Sequence, residues 1–249
     1  MKDPILNRHI VISEDGSPTL FSETFGESYH STSGAVQESI HLFINNGLIK
    51  ATEHNIDKIH ILEYGFGTGL NALLTIQTLL NNRNLSNTKV YYTSIEKYPL
   101  TEEEYSQIDY SDKEIFLRMH QTKWQTLDDF ATKEHFDKIT EQFYLRKIKA
   151  DFADFHPFQD KEWIDVIYFD PFSPETQPQS WNEDTFGRIY KAIKPFGRLV
   201  TYSAKGIVKQ ALRSCGFEVT RIKGAGKKRH SLVALKNRPD TPENQPLLQ

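Results

Sequence analysis

The sequence predicts an α/β fold with a mostly parallel sheet, and two observations lead to this class. Short apolar segments typical of buried strands alternate along the chain with segments whose apolar residues recur at helical spacing. The first such pair is a strand at residues 60–64 and a helix at residues 70–80, joined by a glycine-rich turn. Repeated strand, turn and helix units are typical of Rossmann-like sheets, whose parallel strands are connected by crossover helices.

The glycine-rich turn is the strongest local motif. Residues 63–71 read Glu-Tyr-Gly-Phe-Gly-Thr-Gly-Leu-Asn. Glycine is needed where the backbone takes positive φ or where a ligand touches it, and the helix that begins at Leu70 directs unpaired N–H groups toward the turn. The spacing Glu-x-Gly-x-Gly-x-Gly differs from the Gly-x-Gly-x-x-Gly of dinucleotide folds. Taken alone, a structural turn and a ligand-binding loop explain it equally well.

Acidic residues close successive predicted strands. The strands cover residues 60–64, 89–96, 143–148 and 163–169, and the acids are Glu63, Glu96, Asp151 and Asp170. Because ligands of open parallel sheets bind outside the carboxyl ends of the strands, we expect these acids on one rim. The acid that ends the second strand, Glu96, is where doubly wound folds bind ribose hydroxyls. One such acid is ordinarily a helix cap, but a run of them favours a ligand site.

The last third of the chain predicts an antiparallel end to the sheet. Helices are expected over residues 181–193 and 205–213, and strands over residues 198–202, 217–222 and 231–235. A basic, glycine-containing hairpin at residues 223–230 joins the last two strands, so they pair antiparallel. The predicted fold is therefore a seven-stranded, mostly parallel sheet with an antiparallel end hairpin. This layout resembles that of the class I S-adenosylmethionine-dependent methyltransferases.

Helices are expected between the second and third strands of the sheet. Thr101, followed by three glutamates, is typical of a helix cap. Helical pieces are expected over residues 111–138, and one of them is an amphipathic helix over residues 124–130.

An N-terminal extension precedes the sheet. Residues 9–21 predict a β-hairpin, and residues 35–44 predict a helix capped by Thr32 or Ser33. The expected division of the chain is an extension packed on the site at residues 1–50, a methyltransferase domain at residues 51–238 and a disordered tail at residues 239–249.

Composition excludes several classes of protein. The single cysteine, Cys215, excludes an internal disulfide, and the lack of His-x-x-x-His and Cys-x-x-Cys spacings leads us to expect no metal. Because neither a signal peptide nor a membrane span is predicted, we expect a cytoplasmic protein with no membrane partner. The lack of Gly-x-Ser-x-Gly and Gly-Lys-Ser/Thr strings argues against an α/β-hydrolase and a P-loop nucleotidase.

Positive charge is concentrated toward the C-terminal end. Residues 191–230 contain eleven Lys or Arg and one acid, Glu218, whereas the whole chain has a net charge of −3. A local basic face binds phosphate groups whatever the total charge, which points to a nucleic acid. Basic residues scattered over a solvated surface explain the same count equally well.

Five stretches form strings more specific than a bare glycine loop: residues 26–39, 63–71, 94–101, 169–174 and 224–229. Together they resemble the MnmC-like tRNA 5-methylaminomethyl-2-thiouridine methyltransferase family, which is the methyltransferase half of a bifunctional bacterial enzyme and its single-domain relatives. The resemblance implies S-adenosyl-L-methionine as cofactor and tRNA as partner. The implied reaction converts 5-aminomethyl(-2-thio)uridine at wobble position 34 to its 5-methylaminomethyl form.

The resemblance and the fold also imply a role for individual residues. The expected cofactor-binding residues are Glu63, Gly65, Gly67, Gly69, Asn71, Glu96, Lys97, Asp151, Phe152, Asp170 and Phe172. Glu63 is expected near the cofactor's ammonium group, Glu96 at the ribose hydroxyls, and Asp151 and Phe152 beside adenine. Phe172 is expected to stack on the cofactor or on a flipped uridine. Asp170 is the expected catalytic residue, because an alkylamine is mostly protonated at neutral pH and needs a proton acceptor.

The expected substrate contacts come from three segments. They are Tyr29, His30 and Ser33 at the substrate side of the site, and Lys205, Lys209, Lys227, Lys228 and Arg229 at tRNA phosphates. The chain departs from the family at two points. It has no second glycine fingerprint for a flavin-dependent half, so a separate enzyme is expected to supply the amine. Pro171 also stands where the family string Asp-Gly-Phe-Ala-Pro has glycine.

Two other functions fit the same residues. The first is a methyltransferase or aminopropyltransferase that acts on a small-molecule amine, with the same glycine loop and acids and no RNA. The second is a non-catalytic RNA-binding protein that keeps a vestigial cofactor pocket.

Overall fold

A small antiparallel sheet begins the structure. The computed structural model describes residues 6–53, 57–158, 161–226 and 228–237. Strands β1 (Arg8–Ile12), β2 (Pro18–Ser22) and β3 (Glu27–Ser28) are neighbours in this order. β1 and β2 form an antiparallel hairpin, and β3 adds a third strand that the sequence pattern does not predict.

A continuous helical segment follows this sheet. It consists of α1 (Ala35–Ser39), a π-helical stretch (Ile40–Ile49) and α2 (Lys50–Thr52). Gly47 lets the π-helical stretch lie close to the main sheet, because an added Cβ would stand 2.8 Å from the ring of Tyr168.

The start of α1 is capped from outside the helix. Gly34 occupies the N-cap with φ of +148° and no capping side chain, so the predicted cap by Thr32 or Ser33 is wrong. The carboxylate of Asp15, in the turn between β1 and β2, instead accepts the N–H of Gln37 at 3.2 Å. Burial opposes ionisation of Asp15, but hydrogen bonds from neighbouring hydroxyl and amide groups prevail and lower its pKa to about 2.

The main sheet has nine strands among the described residues, and seven of them are the predicted ones. They are β4 (Lys58–Tyr64), β5 (Lys89–Glu96), β6 (Trp124–Gln125), β7 (Asp137–Lys138), β8 (Phe143–Lys149), β9 (Ile164–Phe169), β10 (Ile193–Thr201), β11 (Glu218–Lys223) and β12 (His230–Leu235). The helices that accompany them are α3 (Leu70–Asn81), α4 (Glu102–Ser106), α5 (Lys113–Gln121), α6 (Leu127–Thr132), α7 (Glu183–Ala192) and α8 (Gly206–Ser214). The strand order is β11-β12-β10-β9-β4-β5-β8-β6, and the two-residue strand β7 pairs with β8.

β4 lies where the sheet changes its direction of winding. Its parallel neighbours are β5 on one side and β9 on the other, and the chain continues outward from them to β8 and β10. Such a point opens a crevice at the carboxyl ends of the strands. At the far edge β12 pairs antiparallel with both β10 and β11, which confirms the predicted antiparallel end of a mostly parallel sheet.

The region between β5 and β8 contains two short strands, β6 and β7, where the sequence predicts only helical pieces. A single helix over residues 124–130 is wrong, because β6 pairs with β8 and α6 begins only at Leu127. Thr126 sets this start. Its hydroxyl accepts the N–H of Asp129 at 3.1 Å, and the Asp129 carboxylate accepts the N–H of Thr126 at 3.2 Å. This reciprocal capping box pairs the N–H groups of Thr126 and Asp129, which have no acceptor within the helix, and so favours a helix that begins at Leu127.

Apolar layers cover both faces of the main sheet. On one face the segment from α1 to α2, with α3 and α5, packs through residues such as Leu42, Leu73 and Phe116. On the other face α7 and α8 pack through residues such as Phe186 and Leu212. Each such side chain contributes about 1.5–3 kcal/mol when it is fully buried. Within the described ranges, no helix combines the length and the apolar character needed to cross a bilayer.

Candidate active site

A deep cavity opens at the carboxyl ends of β4, β5 and β9. Its volume is about 470 Å³, which lies in the usual range for small-molecule sites. The glycine turn after β4, the loop after β9 and the N-terminal segment around β3 contribute to its wall. The predicted site residues on this wall are Tyr29, His30, Gly65, Gly67, Asn71, Glu96, Lys97, Phe152, Asp170, Phe172 and Lys228.

The other predicted site residues lie off this wall. Those that do not line the cavity are Ser33, Glu63, Gly69, Asp151 and Lys209. Lys205 and Arg229 line a neighbouring cavity of about 350 Å³, and Lys227 lies outside the described residues.

The glycine turn has the backbone that the sequence predicts. Gly65, Gly67 and Gly69 all have positive φ, of +93°, +51° and +77°. A Cβ at Gly65 would stand 2.7 Å from the carbonyl oxygen of Asp170, so this position also requires glycine for close contact with the loop after β9. The N–H of Gly67 donates to Glu96 at 3.1 Å, which joins the turn to the end of β5.

A buried histidine supports the turn from behind, and the sequence gives no signal for it. His120 Nε2 lies 3.0 Å from the carbonyl oxygen of Thr68, so the neutral ring donates its Nε2–H to the turn. Burial lowers the pKa of His120 to about 3, which keeps the ring neutral. The Thr68 hydroxyl also contacts Tyr110 Oη at 3.0 Å, and the Tyr110 hydroxyl in turn donates to the carbonyl of Pro18 at 2.9 Å. The turn is therefore connected to the N-terminal sheet.

Glu63 is fully buried behind the cavity wall. Its carboxyl accepts hydrogen bonds from Ser94 Oγ at 2.6 Å and from Asn71 Nδ2 at 3.2 Å. Burial raises the pKa of Glu63 to about 8, so the carboxyl holds a proton at neutral pH for much of the time. Glu63 thus does not line the cavity itself but orients Asn71, which does.

Asn71 connects two carboxyl groups. Its Nδ2 also donates to Asp170 Oδ2 at 3.0 Å, and its buried Oδ1 has no hydrogen-bond partner among the described residues. Burial raises the pKa of Asp170 well above its ordinary value, and the nearby Glu63 raises it further. The cavity floor therefore presents a carboxyl with a strong affinity for protons beside an unused acceptor oxygen.

Glu96 stands at the predicted rim position. Its Oε1 accepts the N–H of Tyr98 at 2.8 Å, while its Oε2 accepts the N–H of Gly67. These bonds hold the carboxylate in one orientation at the end of β5. Each carboxylate oxygen has more than one acceptor site, so Glu96 retains capacity for hydroxyl donors.

Next to Glu96, an ion pair spans the ends of β5 and β8. Lys97 Nζ lies 2.5 Å from Asp151 Oδ2. Burial favours protonation of Asp151, but the hydrogen bond from Lys97 prevails and lowers its pKa, while the same bond raises the pKa of Lys97. Lys97 and the buried ring of Phe152 line the cavity, and Asp151 orients Lys97 from behind.

An aromatic cluster forms the outer wall of the cavity. The ring of Phe172 lies 4.6 Å from that of Phe25 and 5.0 Å, edge-on, from that of Tyr29. Tyr29 also covers the turn, because a Cβ added at Gly67 would stand 3.0 Å from its ring. The sequence does not indicate Phe25, since it precedes a segment interpreted as a polar loop.

Glu27 attaches the N-terminal sheet to the loop after β9. Its carboxylate accepts the backbone N–H of Ser173 at 3.0 Å and the hydroxyl groups of Ser173 and Thr176. His30, on the same side of the cavity, has its Nδ1 2.9 Å from the Thr19 hydroxyl, and burial lowers its pKa to about 4. No local pattern in the sequence indicates the contacts of Glu27.

Two of the predicted phosphate-binding lysines form ion pairs with acidic residues of the same chain. Lys205 pairs with Glu175, and Lys228 directs its ammonium group into the cavity, toward Glu38. Lys228 also lines the neighbouring cavity that contains Lys205 and Arg229, so the two cavities adjoin. Tyr202 also lines both cavities. It lies one residue beyond the end of β10, on the same rim of the sheet, so the expectation that ligand-binding residues follow the carboxyl ends of strands would have indicated it.

Comparisons with known proteins identify related chains. The bifunctional tRNA 5-methylaminomethyl-2-thiouridine biosynthesis protein MnmC of Actinobacillus pleuropneumoniae serotype 5b (strain L20) is 32% identical over 247 residues, which is 95% of this chain and 36% of the relative. The protein of the same name from Aeromonas salmonicida (strain A449) is 29% identical over 87% of this chain and 33% of its own. The chain thus spans about a third of the length of these curated relatives.

Solved structures agree with this result. MnmC2 from Aquifex aeolicus superposes with a TM-score of 0.72 at 28% identity, over 96% of this chain and 74% of that one. Spermidine synthase from Thermotoga maritima superposes with a TM-score of 0.57 at 14% identity, over 95% and 72% of the two chains, which shows a shared fold alone. Residues 113–237 match the family model described as S-adenosyl-L-methionine-dependent methyltransferase. The chain therefore belongs to this methyltransferase family, and its cofactor is S-adenosyl-L-methionine.

Proposed function

We propose that this methyltransferase acts on tRNA and methylates the primary amine of 5-aminomethyl(-2-thio)uridine at wobble position 34. The MnmC relatives are named for tRNA 5-methylaminomethyl-2-thiouridine biosynthesis, and their similarity over nearly the whole of this chain supports the choice of substrate. The single observation that carries the chemistry is Asp170, a carboxyl with a raised pKa on the floor of the cavity.

The residues on the cavity wall suit the cofactor. Asn71 Oδ1, which has no partner among the residues that the structure describes, is an acceptor for its ammonium group, and Glu96 is an acceptor for its ribose hydroxyls. The positive φ angles of Gly65 and Gly67 allow the ligand to approach the backbone, and Phe152 offers an apolar surface to adenine. When bound, S-adenosyl-L-methionine would supply a methyl group bonded to a positively charged sulfur. The nitrogen of a neutral amine can bond to this methyl carbon, and the sulfur then leaves as a neutral thioether.

Asp170 prepares the amine for this displacement. An alkylammonium has no lone pair, so the enzyme first has to remove a proton from it. A carboxylate of ordinary pKa is too weak a base for this proton. The raised pKa of Asp170 brings the carboxyl closer in pKa to the alkylammonium, so that proton transfer costs less. Asn71 holds the acceptor oxygen in place through its bond of 3.0 Å. The proton passes from the ammonium nitrogen to an Oδ of Asp170 in its ionised form and later to solvent, and the product leaves as a methylated ammonium. Holding the reactants in line contributes about 7–11 kcal/mol in well-oriented systems.

The surroundings of Asp170 suit a nucleotide. Phe172 and Tyr29 present aromatic surfaces on which a flipped uracil can stack, and such stacking contributes about 1–3 kcal/mol per base. Arg229 and Lys205, in the adjoining cavity, are the proposed phosphate contacts. In this scheme residues 1–50 act as an extension that completes the site of a methyltransferase domain at residues 51–238. A separate enzyme supplies the aminomethyl group, and the reaction takes place in the cytoplasm.

The direct test is methyl incorporation into tRNA. Bulk tRNA from cells that lack this protein is incubated with labelled S-adenosyl-L-methionine and the purified chain, and the nucleosides are separated. The expected product is a labelled 5-methylaminomethyl nucleoside. The matched control is tRNA from cells that also lack the enzyme forming the aminomethyl group, which should accept no label. Absence of label in both samples, with cofactor binding intact, would refute the tRNA function and favour a small-molecule amine.

A further inference from the structure

A second carboxylate faces the cavity, and the mechanism above does not use it. Glu38 lies on α1, and only 11% of its side chain is exposed. It nevertheless lines the cavity near Asp170, and its negative charge contributes to the raised pKa of Asp170, which burial dominates. A buried carboxylate is costly unless a cation pairs with it.

The cation that pairs with Glu38 is the side chain of Lys228. Lys228 lies in the turn between β11 and β12, 190 residues away in the sequence, and donates to Glu38 Oε1. Its ammonium group also lies over the ring of Tyr202, 4.6 Å from the centroid. Tyr202 Oη in turn donates to the carbonyl of Pro171 at 2.9 Å, which fixes that ring beside the residue that follows Asp170.

These contacts form a binding place for an alkylammonium group. A carboxylate lies on one side, an aromatic face on another, and the proposed proton acceptor is close by. A lysine side chain ends in a methylene and an ammonium, and so does an aminomethyl group on uridine. Resting on the proposed function, we propose that Glu38 binds the substrate's ammonium group and that Lys228 occupies this place until the substrate displaces it.

The displaced lysine has a second place within the structure. Lys228 lines the adjoining cavity together with Arg229 and Lys205, where the RNA phosphates are proposed to bind. Substrate entry therefore exchanges one ion pair for two: the substrate amine pairs with Glu38, and Lys228 turns toward phosphate. The exchange keeps a cation beside the buried Glu38 carboxylate and favours substrates that carry both an amine and a phosphate backbone.

The alternative is that the Glu38–Lys228 pair only fastens the β11–β12 turn to α1. A nearby contact of this kind joins His41 Nε2, in the π-helical stretch, to the carbonyl of Lys223 at the end of β11, at 2.7 Å. Steady-state kinetics with aminomethyluridine-containing tRNA separates the two roles. E38Q is expected to raise KM about 10- to 100-fold, the loss of a charge-assisted hydrogen bond, with kcat and the Kd for S-adenosyl-L-methionine within about threefold. E38D should recover part of the loss. E23Q, at an exposed glutamate of the same extension, is the matched control and should behave as wild type.

Lys228 gives the sharper measurement, because the two roles predict opposite signs. The substrate for this test is the free nucleoside 5-aminomethyluridine, which has no phosphate for Lys228 to contact. With this nucleoside, removing a competitor with K228M should lower KM severalfold, while removing a fastening should raise it. A KM that rises or stays the same in K228M overturns the proposal, whether or not E38Q folds, and so does an unchanged KM in a folded E38Q. Wild-type enzyme that binds cofactor but fails to methylate this tRNA would instead refute the proposed function itself.

Discussion

The buried carboxyl of Glu63 makes a quantitative prediction about stability and pH. The substitution E63Q keeps the shape of the side chain and removes its titration. The amide introduced by this substitution can accept from Asn71 with its oxygen and donate to the Ser94 hydroxyl with its nitrogen, so both contacts survive. Any change in the pH dependence of folding therefore reports on the proton of Glu63.

The magnitude follows from the pKa of Glu63, which burial raises from 4.5 to about 8. Below pH 4.5 the carboxyl is protonated in both the folded and unfolded chain, and its contribution to stability is fully present. As the pH rises, the unfolded chain releases this proton while the folded chain retains it, so wild type loses stability until the folded pKa is passed. At about 1.4 kcal/mol per pH unit, the loss is about 3 kcal/mol between about pH 5.5 and 7.5 and about 5 kcal/mol over the whole interval.

The assay is urea denaturation of wild type and E63Q at half-unit steps from about pH 5 to 8.5. The free energy of unfolding of E63Q relative to wild type should rise by these amounts across the series. E114Q, at an exposed glutamate of α5, provides the matched control and should give a flat difference. Parallel pH curves for wild type and E63Q would refute the assignment of a buried, protonated carboxyl.

Three further substitutions probe the site. E96A should weaken S-adenosyl-L-methionine binding about 10- to 100-fold by calorimetry with an unchanged circular dichroism spectrum, and an unchanged Kd would contradict the ribose role. D170N should lower kcat about 10²- to 10⁴-fold with the cofactor Kd within about threefold, and equal losses would make Asp170 a binding residue instead. H120L leaves the Thr68 carbonyl unpaired and should lower the free energy of unfolding by about 1–3 kcal/mol, whereas H120Q, which restores a donor, should recover part of it; equal stabilities would contradict the hydrogen bond.

Sequence reasoning succeeds where a local pattern determines local structure. The glycine turn is predictable because positive φ at Gly65 and Gly67 needs glycine. Glu96 and Asp170 lie on one rim, as predicted, because parallel strands share their carboxyl ends. The same rule also predicts that Glu63 faces the ligand site, but its side chain does not line the cavity. It lies one residue before the end of β4 and faces Ser94 and Asn71 behind the wall, because successive side chains of a strand point to opposite faces.

Other parts of the site were decided only by packing between distant segments. The outer wall depends on how the N-terminal sheet docks on the loop after β9, through Glu27 and Ser173, and no periodicity encodes that contact. Packing across 190 residues also brings Lys228, a predicted phosphate contact, to Glu38, so that it lines the cavity. The sequence by itself determined the sheet, its turn and its acidic rim, because these follow from the local geometry of the backbone. The tertiary structure decided which charges meet in the cavity, because a buried charge takes the partner that the packing of the whole chain brings to it.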